Sequence, residues 1–152
     1  MEVSGIEISK AALQLNNQLF GNKIKERFLG STQDMPFSGA TYGGIFCYSL
    51  IHLLDENSRK QLIQNCYNQL SPGGQMVFVM VSKKFPSFGK GKQLSENRFE
   101  TMPGVQLYFY DKNSIKVDFE NFGLKSVREI AEGNNAMDSS RPPEYWYVNC
   151  KK

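Results

Sequence analysis

Histidine is nearly absent from this 152-residue chain: His52 is the only one. Cysteine is sparse too, with Cys47, Cys66 and Cys150 and no CxxC pair. Without a His/Cys cluster there is no case for a zinc site. An odd number of cysteines, each falling in a predicted strand or helix, reads as reduced thiols of a cytoplasmic protein. Long apolar runs are missing as well. The longest, Ile45 to Leu54, is broken by Ser49 and His52 and is too short to cross a bilayer. The first residues show neither a basic stretch nor an apolar one, so no signal peptide is expected. Charge of one sign is not in excess. A net charge of +3 is too mild to point to nucleic acid by itself.

What is present is a pattern that changes period. Val3 to Ile8 reads as a buried strand, ending in the acid Glu7. Ser9 caps a helix over Lys10 to Phe20, with Ala12, Leu15 and Leu19 on one face and Gly21 as its stop. Ile24 to Leu29 is a short second strand. The stretch "GSTQDMPFSGATYGG" is loop. Ile45 to Ser49 is a buried strand, and a helix runs from about Asp55 to Leu70 with Leu62, Ile63, Cys66, Tyr67 and Leu70 on its apolar face. "SPGG" ends it. Gln75 to Val81, "QMVFVMV", has no polar alternation and is expected at the sheet centre, covered on both faces.

The second half reads differently. Lys83 to Gly104 is expected as a long polar loop, and Val105 to Tyr110 as a strand or extended arm. Asp111 caps a helix carrying Ile115, Phe119 and Phe122, stopped by Gly123. Leu124–Ala131 and Glu144–Cys150 form a closing strand pair around "EGNNAMDSSRPP". This predicts one α/β domain: a three-layer sheet, mostly parallel, with a terminal antiparallel pair.

Four stretches in order carry a resemblance. An acid ends a strand in "VSGIEIS". A polar loop ends in Pro-Phe in "GSTQDMPF". A strand runs into an apolar-His segment in "YGGIFCYSLIHLL". A helix closes on Leu-x-Pro-Gly-Gly before a strand in "NQLSPGGQMVFVMVS". Together they resemble the class I S-adenosylmethionine-dependent methyltransferases, with a Rossmann-like sheet. The resemblance implies the cofactor S-adenosylmethionine and a small-molecule methyl acceptor. It also implies roles: Glu7 for the ribose hydroxyls, Ser31 and Asp34 around the adenine, Tyr48 and Ser49 along the cleft. His52 is the candidate general base. Gly43 departs from the family, many members having Asp there.

The family's first strand and its glycine-rich cofactor turn have no counterpart in these residues. Val3–Ile8 and Ile45–Ser49 would flank that missing strand. The resemblance therefore implies weak cofactor binding by the isolated chain, and either a homodimer or a partner protein that donates a strand. A protein that keeps the fold but only binds is the other reading. In "SKKFPSFGKGK", Lys83, Lys84, Lys90 and Lys92 alternate with Phe85 and Phe88. Such a mixture can bind single-stranded nucleic acid. A solvated loop beside the substrate entrance is the reading preferred here.

Overall fold

A computed structural model describes residues 2–34, 39, 41–131 and 144–152. The chain divides into two units, Met1–Ala40 and Thr41–Lys152. The Pro-Phe pair at 36–37 and the loop at 132–143 lie outside the described residues.

In the first unit, β1 (Ser4–Glu7) and β2 (Glu26–Leu29) pair in parallel. The helix α1 (Lys10–Phe20) joins them. Its ends are those expected from the sequence. Ser9 has extended backbone and its Oγ accepts from the Ala12 N–H at 3.2 Å. Gly21 ends the helix at φ 42°, a conformation glycine adopts without a Cβ penalty. No described residue of this unit is fully buried. The apolar face of α1 is correspondingly open: Leu15 is 54% and Leu19 is 64% exposed. They line a cleft of about 360 Å³ together with Ile6, Ala12, Phe20 and Ile24.

In the second unit a mixed four-stranded sheet has the order β3-β4-β9-β8. Its strands are β3 (Tyr42–Tyr48), β4 (Leu70–Val81), β8 (Leu124–Ala131) and β9 (Glu144–Lys151). β3 and β4 are parallel, while β4–β9 and β9–β8 are antiparallel. The expected central position of Gln75–Val81 and the terminal antiparallel pair are both present. β4 shows why its apolar pattern is continuous. Met76, Phe78 and Met80 alternate with Val77, Val79 and Val81 along one strand, so the two sets face opposite sides. Phe78 meets Phe119 of α3 (Lys112–Phe119) at 5.1 Å. Val79 and Val81 join Phe99, Phe109 and Tyr145 in a second cluster, and Val77 packs against it.

The helix α2 (Glu56–Asn68) is capped by Asp55, which accepts from the Ser58 N–H at 2.9 Å, and it buries Leu62, Ile63 and Cys66. α3 starts in a reciprocal Asp111–Ser114 capping box and buries Ile115 and Phe119. Gly123 follows in the left-handed region at φ 68°. "SPGG" lies inside β4 rather than before it. Tyr42 aligns with Leu70 but Gly44 with Gln75, so these residues form a bulge against β3.

The expected long loop at 83–104 is a correction. It contains β5 (Lys92–Ser95) and β6 (Arg98–Met102), which with β7 (Val105–Tyr108) make a three-stranded antiparallel sheet. Pro103-Gly104 turns β6 into β7, with Gly104 at φ 76°. Phe85 and Phe88 pack inward, Phe85 against Tyr145 at 5.4 Å and Phe88 against Phe99 and Phe109 at 5.4 and 5.2 Å. Lys83 pairs with Asp111, and Lys84 with Glu129. The interleaved basic and aromatic residues are thus mostly core and ion pairs, not a bare stacking platform.

Candidate functional site

The candidate residues fall into two groups, one in each unit. In the first unit, Glu7 closes β1 and aligns with Leu29, which closes β2. The Gly30 N–H donates to the Glu7 carbonyl at 3.0 Å, tying the two strand ends together. The Glu7 side chain is held as well, its Oε1 accepting from the Ser9 N–H at 2.8 Å. A carboxylate is thereby fixed where β1 gives way to α1, the end of a parallel pair at which α/β sheets bind ligands. Ser31 and Asp34 sit one turn beyond β2. The Ser31 Oγ accepts from the Gln33 N–H at 3.2 Å, and its carbonyl accepts from the Asp34 N–H at 3.1 Å. Ser31 therefore shapes this turn, and Asp34 stands exposed on it. The structure brings Glu7, Ser31 and Asp34 to the same end of the two-stranded sheet.

In the second unit, Tyr48, Ser49 and His52 follow one another at the carboxyl end of β3. Tyr48 is 47% exposed and lies 6.5 Å from the Tyr145 ring. Ser49 is the one non-glycine residue with positive φ among the described residues, at 53°. Its N–H donates to Val79 at 2.9 Å, which holds this strained backbone against β4. His52 lies in a short 3₁₀ turn, Ile51–Leu53. It is only 5% exposed, and its Nδ1 is buried without a hydrogen-bond partner. Burial pushes the imidazole down to about 4, so it is neutral at pH 7 and able to accept a proton only from a strong donor. The cysteines are inert by comparison. Burial lifts the Cys47 and Cys150 thiols to about 12, and raises Cys66 too.

Sequence reasoning missed what holds this segment. Arg98 of β6 donates to the Leu54 carbonyl at 2.7 Å, and Arg59 of α2 donates to the same oxygen at 3.3 Å. Arg59 is buried, its guanidinium 3.8 Å above the Tyr108 ring and its Nε 3.7 Å from Asp118 Oδ2. The Tyr110 hydroxyl donates to the same carboxylate at 3.1 Å. Burial lifts the Asp118 carboxyl above its ordinary value, against the opposing pull of Arg59 and Tyr110. Two arginines thus clamp the end of the turn that carries His52. The Pro-Gly turn flanked by "RFET" and "VQLY" was the signal for the hairpin that supplies Arg98. Nothing local announces the Arg59–Asp118 pair.

No group of three or more His, Cys, Asp or Glu residues is arranged to hold a metal among the described residues. None of their helices is long and apolar enough to cross a membrane.

This mixed sheet, with its closing antiparallel strands, is the fold of S-adenosylmethionine-dependent methyltransferases. A methyltransferase of that type from Methanosarcina mazei superposes with a TM-score of 0.77 at 13% identity, over 99% of this chain and 82% of that one. The N-methyltransferase NodS from Bradyrhizobium japonicum, in complex with S-adenosyl-L-homocysteine, superposes with a TM-score of 0.67 at 11% identity, over 99% of this chain and 66% of that one. The methyltransferase domain family matches residues 1–78, and the chain belongs to that family. A tRNA N(3)-methylcytidine methyltransferase of Drosophila melanogaster, Mettl2, is 22% identical over 141 residues. That match takes in 87% of this chain but 43% of the fly protein, so the chain spans less than half the length of this relative.

The residues present fit the ribose of S-adenosylmethionine. A diol needs a fixed acceptor, and Glu7 is a carboxylate anchored at a parallel strand end.

Proposed function

We propose that this chain takes part in methyl transfer from S-adenosylmethionine to a small-molecule acceptor, with weak cofactor affinity when it acts alone. The observation that carries the reading is Glu7, anchored by the Ser9 N–H at the carboxyl end of β1. There it would accept hydrogen bonds from the ribose hydroxyls, with Ser31 and Asp34 on the same sheet end beside the base. S-adenosylmethionine supplies, when bound, an electrophilic methyl group on a sulfonium. An acceptor that is already nucleophilic then needs mainly orientation and exclusion of water. Affinity is low because, among the described residues, Glu7, Ser31 and Asp34 hold only the nucleoside end of the ligand, while tight binding requires contacts along its length.

Gly43 supports a second reading, a protein that binds without catalysing, because the strand lacks the acid that many family members carry there. The fly relative, named for its action on tRNA, makes RNA the competing acceptor. Methyl-labelled S-adenosylmethionine, offered with a panel of small amines, thiols and hydroxyl compounds and in parallel with total tRNA, decides among them. Label in the small-molecule fraction supports the proposal. Label in tRNA overturns the acceptor class, and label in neither favours the binding protein.

A further inference from the structure

The joint between the Ile51–Leu53 turn and α2 leaves one backbone carbonyl over. Within the turn, the Leu50 and Ile51 carbonyls accept from the Leu53 and Leu54 N–H groups at 2.9 and 3.2 Å. The carbonyl of the capping residue Asp55 accepts from the Arg59 N–H at 2.9 Å and so belongs to the helix. The Leu54 carbonyl lies between the two and serves neither. Side chains take it instead, Arg98 Nη1 at 2.7 Å and Arg59 Nη1 at 3.3 Å. The two arginines are not equivalent. Arg59 is also engaged by Asp118 and by the Tyr108 ring. Arg98 reaches across from the small sheet, and its Nε donates to Gln106 Oε1 at 3.1 Å. A neutral amide and a neutral carbonyl thus fix two sides of its guanidinium.

The other end of this segment is held by β4, where the Ser49 N–H donates to the Val79 carbonyl at 2.9 Å. Between the two anchors lie Ser49 at φ 53° and His52, 5% exposed. A positive φ at a residue other than glycine persists only where its surroundings over-determine it. We infer that Arg98 is a positioning residue for 49–54. From β6 it fixes the Leu54 end against the Ser49 end held by β4, and so maintains both the Ser49 backbone and the dry setting of His52. Its bond to Leu54 is charge-assisted, and such bonds are roughly twice as strong as neutral ones. Arg59 does not replace it, because its contact is longer and its guanidinium is committed to Asp118 and Tyr108. Lysine does not replace it either, since an ammonium lacks the fork that reaches Leu54 and Gln106 together. The bearing of this on methyl transfer rests on that reading, whereas the positioning itself does not.

NMR of the free protein tests this with no ligand added, so its failure is separate from failure of the methyl-transfer reading. The only histidine gives one imidazole signal to follow against pH, and burial alone holds it down at about 4. Arg98→Met keeps an unbranched stem and removes the donors. It is expected to raise the His52 midpoint by about one unit or more, towards 6.5, as water reaches the ring. Amide exchange at Leu53 and Leu54 is expected to quicken about ten-fold or more. Arg98→Lys is expected to move both signals in the same direction, and it remains readable if the methionine variant folds poorly. Gly104→Ala is the control. It strains the β6–β7 turn at φ 76°, so it should lower the melting temperature and leave the His52 midpoint in place. A midpoint that stays at the wild-type value in both Arg98 variants overturns the inference. So does an equal shift in Gly104→Ala, which would trace the effect to lowered stability alone.

Discussion

The only histidine makes one pH experiment unusually clean. His52 is held neutral by burial, at about 4 against an ordinary 6.5. Its folded-state value is depressed, so the unfolded chain takes up the proton first as pH falls. Stability is therefore complete above pH 6.5 and is lost between 6.5 and about 4. At about 1.4 kcal/mol per pH unit the whole window is worth about 3 kcal/mol. The loss is about 1.4 kcal/mol by about pH 5.5 and about 2.5 kcal/mol by about pH 4.5. Asp55 and Asp111 are shifted down from 3.8, so their losses come below this window, and Glu56 is shifted down from 4.5, so its loss begins at the acid end of it and is shared by wild type and variant. Asp118 is shifted up, so protonating it above 3.8 favours the folded state. His52→Phe removes the titrating group and the unpartnered Nδ1 with it, at a cost within about 1 kcal/mol at pH 7. Urea unfolding at a series of pH values, followed by emission of the single tryptophan, reads the second unit directly. Trp146 is buried there, and its Nε1 donates to the Tyr110 carbonyl at 2.9 Å. Wild type should fall away from His52→Phe by the amounts above. Parallel curves from pH 7 to about 4.5 would refute the assignment of His52 as a buried neutral imidazole.

Two further substitutions test the frame around that turn. Asp118→Ala leaves the buried Arg59 charge and the Tyr110 hydroxyl without their partner, and should cost about 3–5 kcal/mol in urea unfolding; a loss under about 1 kcal/mol would mean that Arg59 reaches water. Gly123→Ala places a side chain at φ 68° against the Lys151 carbonyl. It should cost about 2 kcal/mol or more, read as a lower melting temperature, and an unchanged melting temperature would contradict the strain.

Local chemistry made much of the fold legible. Ser9 and Gly21 bound α1 where a cap and a stop should, because each acts on its own backbone. Gln75–Val81 announced the sheet centre through the loss of alternation, since both of its faces are covered. The illegible parts depend on distant residues. β5 and β6 are short and largely polar, "KQLS" and "RFETM", and only their pairing makes them strands. The open face of α1 looked like a core face because periodicity reports which residues are apolar, not what covers them. At the candidate site, Glu7 was legible from its place at a strand end. His52 was visible as a lone histidine between apolar neighbours, but its missing partner was not. The clamp of Arg59 and Arg98 on Leu54 joins residues up to 44 positions apart, which no local pattern encodes.

The central claim is that Glu7 is the cofactor's ribose acceptor in a methyltransferase-fold chain. Saturation-transfer NMR with S-adenosylhomocysteine, titrated into the millimolar range, tests it most directly because it detects weak binding. Signal is expected on the ribose protons of the ligand, saturating well above the micromolar range, and Glu7→Ala should abolish it while leaving Trp146 emission unchanged. A tight micromolar complex, no transfer at all, or equal transfer to Glu7→Ala would contradict the account.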